Sequence, residues 1–291
     1  MKPIRFDYFD PESIPEAVAL LREHGPDAKL LAGGQSLVPL LNMRLARPTA
    51  IVDLNRVPGL DYIREEGSYL AIGALTRQRA IERSEVVATR QPLLHAATRL
   101  IAHPQIRNRG TAGGSLAHAD PAAEYPAVAL ALGAQLRVAG PGGERTLTAS
   151  DFFVTYLTTA LEPDEMLVEV RVPVLAPRTG WSFQEVSRRH GDFALAGAAV
   201  RLSLDGETCS SSRIVLFGVA PVPVRATAAE EVIAGERAGT DLFESAGRAA
   251  AGALEEPLSD VHATAEYRRH LASVLTRRAI AEAASRAREA A

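Results

Sequence analysis

Two short glycine segments are the residues best suited to chemistry. Ala32-Gly33-Gly34-Gln35-Ser36 and Ala112-Gly113-Gly114-Ser115 each place a glycine pair beside a hydroxyl residue. Without Cβ atoms such a backbone can approach a phosphate closely and aim successive N–H groups at its oxygens, while Ser36 or Ser115 donates a further bond. A single loop of this kind is common in tight turns. Two loops 80 residues apart, counted from Gly33 to Gly113, fit a ligand with two phosphates gripped from both sides, as in a dinucleotide pyrophosphate. A pair of ligand-free tight turns is the plain alternative.

Other chemistry has less to stand on. No Gly-x-Gly-x-x-Gly occurs, which disfavours a Rossmann site, and neither Lys2 nor Lys29 follows a glycine, which excludes a P-loop. Gly113-Gly114-Ser115-Leu116-Ala117 approximates the Gly-x-Ser-x-Gly nucleophile elbow with alanine in the last place. A hydrolase built on Ser115 would need an acid and a late histidine; His262 and His270 lie in the right part of the chain, and no local pattern singles either out. His24, His95, His103, His118 and His190 show no metal-ligand spacing, so no metal site is expected. Asp120-Pro121, just beyond the second loop, reads as a helix cap followed by a first-turn proline.

Composition narrows the partners. The 291 residues carry 32 basic and 35 acidic side chains, a net charge of -3, so no strong field favours nucleic acid or an anionic membrane. Cys209 is the one cysteine, which rules out an internal disulfide, an iron–sulfur cluster or a thiolate zinc site on this chain. The longest uncharged stretch, Leu30 to Met43, has 14 residues and holds Gly33, Gly34 and Pro39. A membrane span needs about 20 apolar residues. The opening residues lack an apolar segment behind their positive charges, so a cytoplasmic protein is expected.

The elements that must position the loops follow from periodicity. Residues 1–56 read as an α/β unit: a helix with Ile14, Val18 and Leu21 on one face, a strand Lys29–Ala32 running into the first glycine pair, a helix carrying Val38, Leu41 and Leu45, and a strand Ala50–Leu54. Residues 57–176 form a second unit, with a strand Tyr69–Gly73, a helical stretch Arg77–Thr98 interrupted near Gln91-Pro92, the second loop, a helix from Asp120 to about Leu132, and a hairpin over Gln135–Leu147. Pro173–Gly180 reads as a linker. Residues 177–291 form a third unit of three strands, Phe183–Ser187, Ala198–Leu204 and Arg213–Val219, covered by helices. The last helix spans about Thr264–Arg288, with Tyr267, Leu271, Val274 and Leu275 as its apolar stripe and its arginines facing away.

End to end, the chain resembles the FAD-binding medium subunit of molybdenum hydroxylases, the carbon monoxide dehydrogenase and xanthine dehydrogenase group. The resemblance is carried by Leu31–Leu37, Ile106–Ser115, His118–Glu124 and Arg188–Ala194. It implies an α/β (α+β) fold: a two-subdomain FAD-binding domain of vanillyl-alcohol-oxidase type plus a small α/β C-terminal domain. It also implies contacts. Leu31, Ala32, Gly33, Gly34, Gln35, Ser36 and Leu37, with Thr111, Ala112, Gly113, Gly114 and Ser115, fall at the FAD pyrophosphate; Ile101 and Phe193 fall near the isoalloxazine ring. Glu124 takes the place of an acidic FAD contact, and Leu167 and Gln184 align with others, although some relatives carry lysine where Gln184 stands.

In the resembling family a large partner holds the molybdenum cofactor, a small partner carries two [2Fe-2S] clusters, and the complex is a dimer of heterotrimers. The chain would then relay electrons from the clusters through FAD to an external acceptor, with no catalytic acid–base pair of its own. The carbon monoxide branch typically shows Ala-Gly-Gly-His-Ser at the first loop, whereas this chain has Gln35. That tilts the expected substrate toward an N-heterocycle or related small organic compound. A carbon monoxide dehydrogenase medium subunit and a stand-alone FAD oxidoreductase of the same fold are the competing readings.

Overall fold

A computed structural model describes residues 2–290. The chain first builds a small parallel sheet from β1 (Asp7–Phe9), β2 (Ala28–Leu31) and β3 (Ala50–Asp53), in the order β1-β3-β2. Helix α1 (Ile14–His24) opens on Ser13, whose hydroxyl accepts the Glu16 N–H, and buries Ala17, Val18 and Leu21. The short α2 (Leu37–Asn42) follows the first glycine pair. Ile51 and Val52 are fully enclosed in this layer.

The middle region holds β4 (Ile63–Glu66), β5 (Tyr69–Gly73), α3 (Gln78–Arg83), α4 (Glu85–Arg90), α5 (Pro92–Leu100), α6 (Pro104–Arg107), α7 (Ala112–His118) and α8 (Glu124–Leu132). It continues through β6 (Gln135–Gly140), β7 (Gly143–Thr148), α9 (Ala149–Phe152), the hairpin strands β8 (Phe153–Thr155) and β9 (Thr158–Thr159), and β10 (Met166–Pro173). Strand β10 inserts between β5 and β6, giving an antiparallel sheet β4-β5-β10-β6-β7. The expected Arg77–Thr98 helix breaks twice, at Ser84, whose extended backbone ends α3 and caps α4, and at Gln91-Pro92. Pro92 cannot donate to the preceding turn, so Gln91 leaves helical geometry and α5 starts afresh.

One boundary differs from the sequence expectation. Asp120 does cap a turn, accepting the Ala122 N–H at 2.8 Å, but α8 begins only at Glu124. The Asp120-Pro121 turn therefore stands between α7 and α8, and Glu124 is the first residue of α8. The expected linker is also shorter, because β10 runs to Pro173 and the next strand starts at Thr179.

The last region is an antiparallel sheet of β11 (Thr179–Ser187), β12 (Ala194–Asp205), β13 (Thr208–Phe217) and β14 (Val224–Arg225). Helices α10 (Thr227–Ile233), α11 (Thr240–Gly252) and α12 (Ala265–Glu289) cover one face. Its other face joins the middle region, since Phe183, Ala199, Val215 and Phe217 share a core with residues of α5 and α8. Burial on both faces accounts for the near-continuous apolar run Ala194–Val200.

Helix α12 packs on the sheet through small residues. Ala272, Ala279, Ala283 and Ala287 are buried, letting the helix backbone come close. The expectation that its arginines all face away fails at Arg268, which is 3% exposed. Its guanidinium donates to the carbonyls of Leu195 and Gly218 and to Asp260, satisfying backbone groups at the ends of β12 and β13. Tyr267, placed on the apolar stripe, is 45% exposed instead. No helix among the described residues is long and apolar enough to cross a membrane.

Candidate cofactor cleft

The two glycine loops meet. Both line one cleft of about 910 Å³, within the range of small-molecule and cofactor sites, about 300–1,000 Å³. Ala32, Gly33, Gly34, Gln35, Ser36 and Leu37 form one side, and Thr111, Gly113, Gly114 and Ser115 another. Ile101, Glu124, Leu167 and Phe193 also line it. Three expected residues do not. Leu31 ends β2 behind the loop, and Ala112 is 2% exposed in the middle core. Gln184 faces the other way. Along β11 the side chains alternate, Phe183 entering the core shared with the middle region while Ser182 and Gln184 both donate to Glu282 of α12, at 2.7 and 2.6 Å.

The loops differ in what they offer. At the first, the N–H groups of Gly33, Gly34, Gln35 and Ser36 donate to no acceptor among the described residues. Four consecutive free donors beside a cleft make a strong anion cradle. At the second, the N–H groups of Ala112, Gly113 and Ser115 are already spent on Thr76, Ala74 and Thr111 carbonyls, and that of Gly114 on the Thr111 hydroxyl. A phosphate there would meet hydroxyls of Thr111 and Ser115, not bare backbone. Alike in sequence, the loops are not equivalent in the fold: Gly113 serves close packing, since a Cβ on it would stand 2.5 Å from the Ala74 side chain.

Gly33 and Gly34 have different reasons to be glycine. A Cβ on Gly33 would lie 2.3 Å from the Arg109 carbonyl oxygen, so the loops touch backbone to backbone. Gly34 has φ +72°, a left-handed conformation that costs other residues energy. The Ser115 hydrolase reading has no geometry behind it. Ser115 lies within α7 and not on a strand-to-helix elbow, and His262 instead pairs with Arg188 at 2.8 Å.

Beneath the second loop lies Gln78, a residue the sequence reading missed. It is 4% exposed, it lines the cleft, and its Oε1 has no hydrogen-bond partner. A buried polar atom left unpaired in the wall of a cleft is what a polar ligand would complete. Cleft volume, the free donor row, the close backbone approach at Gly33 and this orphaned amide together fit a bound FAD.

A second missed group supports the wall where the ring is expected. Arg107, 6% exposed in its side chain, forms a two-pronged pair with Glu82, both contacts at 3.0 Å. Its remaining nitrogen donates to the carbonyls of Ile101, at 2.7 Å, and Ala102, at 3.2 Å. Ala102 has φ +43°, an unusual conformation for a residue with a side chain, and the guanidinium holds it there. Across the mouth, the segment Gly191-Asp192-Phe193 comes from the β11–β12 turn, and Phe193 is 71% exposed.

Two carboxyls give this wall a pH response. Burial, then the neighbouring Glu185 charge, pushes Glu124 up to about 8; Asp120 adds to the rise and Arg107 opposes it. Burial alone raises Glu185 to about 7, and its Oε2 has no hydrogen-bond partner. For a carboxyl whose folded value lies above its ordinary 4.5, stability is full below 4.5 and is lost as pH rises toward 8. The melting midpoint of the FAD-free chain should therefore fall across that window, and Glu124→Gln should flatten the fall. Parallel midpoint curves for the two proteins from pH 5 to 9 would contradict this placement.

Known proteins share the architecture. Residues 4–175 match the FAD binding domain in molybdopterin dehydrogenase, and residues 181–283 match the CO dehydrogenase flavoprotein C-terminal domain. The chain is 44% identical over 289 residues to the 6-hydroxypseudooxynicotine dehydrogenase complex subunit alpha of Paenarthrobacter nicotinovorans, covering 99% of this chain and 97% of that one. It is 43% identical to the carbon monoxide dehydrogenase medium chain of Hydrogenophaga pseudoflava, covering 96% and 97%. A solved structure of that organism's carbon monoxide dehydrogenase, in a form lacking the Mo-pyranopterin moiety of its molybdenum cofactor, superposes with a TM-score of 0.96 at 44% identity, covering 98% of this chain and 99% of that one.

Proposed function

The chain belongs to the family of FAD-binding subunits of molybdenum-dependent dehydrogenases, and from that premise we propose that it carries FAD in the cleft and passes electrons from partner-bound [2Fe-2S] clusters to an external acceptor. The observation that carries this reading is the single cleft lined by both glycine loops, with four free N–H donors on one side. Bound there, FAD supplies the acceptance and release of electrons. The chain's own residues hold and orient it. Gly33 to Leu37 take the diphosphate with help from Thr111 and Ser115, while Ile101, Leu167 and Phe193 flank the ring and Glu124 gives a polar contact. Leu31 and Ala112 support the loops from behind, and Gln184 supports the α12 interface rather than the ligand.

The proposed partners are a large subunit with the molybdenum cofactor and a small subunit with the clusters, assembled as a dimer of heterotrimers in the cytoplasm. Relatives at 44% and 43% identity are subunits of dehydrogenases of 6-hydroxypseudooxynicotine and of carbon monoxide. Gln35 at the first loop favours an N-heterocycle or related small organic substrate for the complex. Carbon monoxide is the second reading, because a carbon monoxide dehydrogenase medium chain stands at 43% identity, close to the 44% of the 6-hydroxypseudooxynicotine dehydrogenase subunit.

Purification of the native complex tests the assembly. The expected result is a yellow preparation in which three chains co-purify with molybdenum, iron and acid-releasable FAD, at a mass of two heterotrimers. A chain that purifies alone and without metal would contradict it.

A further inference from the structure

One polar chain ties the two glycine loops together. Arg77, the residue before α3, donates through Nη1 to the Arg109 carbonyl and through Nη2 to Asn55 Oδ1, both at 2.5 Å. Asn55 Nδ2 donates in turn to the Ala32 carbonyl at 2.9 Å and to Asp53 Oδ1 at 2.5 Å. Asp53 Oδ2 accepts from the Tyr8 hydroxyl at 2.7 Å, which anchors the chain on β1. The Asn55 amide thus spends its carbonyl and both N–H groups, and none is left for a ligand.

The two ends of this chain are the two loops. Ala32 precedes Gly33, and the Arg109 carbonyl oxygen is the atom that a Cβ on Gly33 would strike. Among the described residues no arginine lines the cleft. The guanidinium of Arg77 acts through the carbonyls and amide it holds, and its planar fork can bridge two acceptors at a fixed spacing where a point charge cannot.

We propose that Arg77 and Asn55 are positioning residues for the diphosphate, bracing the free N–H row of the first loop against the second loop. This rests on the FAD reading above. It predicts that loss of either residue weakens ligands through their phosphates, while ligands that bind by the ring alone are spared.

The test uses the full chain stripped of FAD, titrated separately with FAD and with riboflavin, which lacks phosphate. Arg77→Ala, Arg77→Lys and Asn55→Ala are expected to weaken FAD by about ten- to a hundredfold and riboflavin by less than about threefold. Lysine should rescue little, because it cannot bridge both acceptors. The Asn55→Ala/Arg77→Ala double variant should bind FAD no worse than about threefold below the weaker single variant, since one cut already opens the brace. Far-ultraviolet circular dichroism of each FAD-free variant checks folding, and Asn55→Ala carries the test if the arginine variants do not fold.

Unchanged FAD affinity in Asn55→Ala and Arg77→Ala, equal losses for FAD and riboflavin, or independent effects that multiply in the double variant would each overturn the inference. If the unmodified chain itself fails to bind FAD, the functional reading falls and this inference with it.

Discussion

Gly33→Ala is expected to yield a folded chain that purifies with little or no FAD, and Gly33→Val to do so more completely. The new Cβ would stand 2.3 Å from the Arg109 carbonyl oxygen and 2.9 Å from its carbon. Both are backbone atoms, so no rotamer change relieves the contact; the loops must separate. Separation moves the four free N–H groups away from Thr111 and Ser115, and a diphosphate can no longer reach both sides. The expected loss in FAD affinity is about a hundredfold or more, the equivalent of about 3 kcal/mol. Gly142→Ala is the control, because a Cβ there meets nothing within 4 Å. The ratio of flavin to protein absorbance after gel filtration reads both variants, and full FAD occupancy in Gly33→Ala would contradict the geometry.

The second large effect is expected from Glu82→Ala. The Arg107 guanidinium holds the Glu82 carboxyl well below the usual range, at about 2, with burial opposing and Arg79 assisting. Removing the carboxylate leaves Arg107 buried without its counter-charge, a change that costs about 3–5 kcal/mol. Such a loss lowers the melting midpoint by about 10 °C in a chain of this size. It also frees Arg107 from the position in which it pins Ile101 and Ala102, so the visible spectrum of residual bound FAD should shift.

The pH dependence runs opposite to that of Glu124. Glu82 has a folded value below its ordinary 4.5, so its contribution is fully present above 4.5 and is lost as pH falls toward 2. Glu82→Gln should remove that part of the acid sensitivity. A variant that melts within about 2 °C of the unmodified chain would show that the pair is not structural.

The sequence disclosed the loops and little of what braces them. Glycine pairs next to hydroxyls are local signals, readable because the chemistry needs adjacent residues. The same is true of β12, of the start of α12 near Thr264, and of the hairpin β6–β7, all set by short-range periodicity and turn residues. Asn55, Arg77, Gln78, Glu82 and Arg107 gave no such signal. Each acts through hydrogen bonds or burial set by a partner more than 20 residues away, and a lone arginine or glutamine looks like a solvated surface residue until the fold encloses it.

Two misplacements have the same root. Gln184 aligns with a family contact, yet the alternation along β11 points it at Glu282, on the face of the sheet opposite Phe183. Arg268 was expected on a polar helix face, where only knowledge of the Leu195 and Gly218 carbonyls beneath it reveals its burial. The equivalence drawn between the two loops failed because a sequence shows which residues could present N–H groups but not which of those groups are already bonded.

The central claim is that this chain carries FAD and relays electrons without oxidising a substrate itself. An anaerobic titration of the isolated, yellow chain tests it most directly. Dithionite should bleach the flavin band fully, while N-heterocycles such as quinoline or nicotine, and carbon monoxide, should leave it unchanged until the molybdenum and iron–sulfur subunits are added. Bleaching of the lone chain by any of these substrates, or a chain that takes up no FAD at all, would contradict the account.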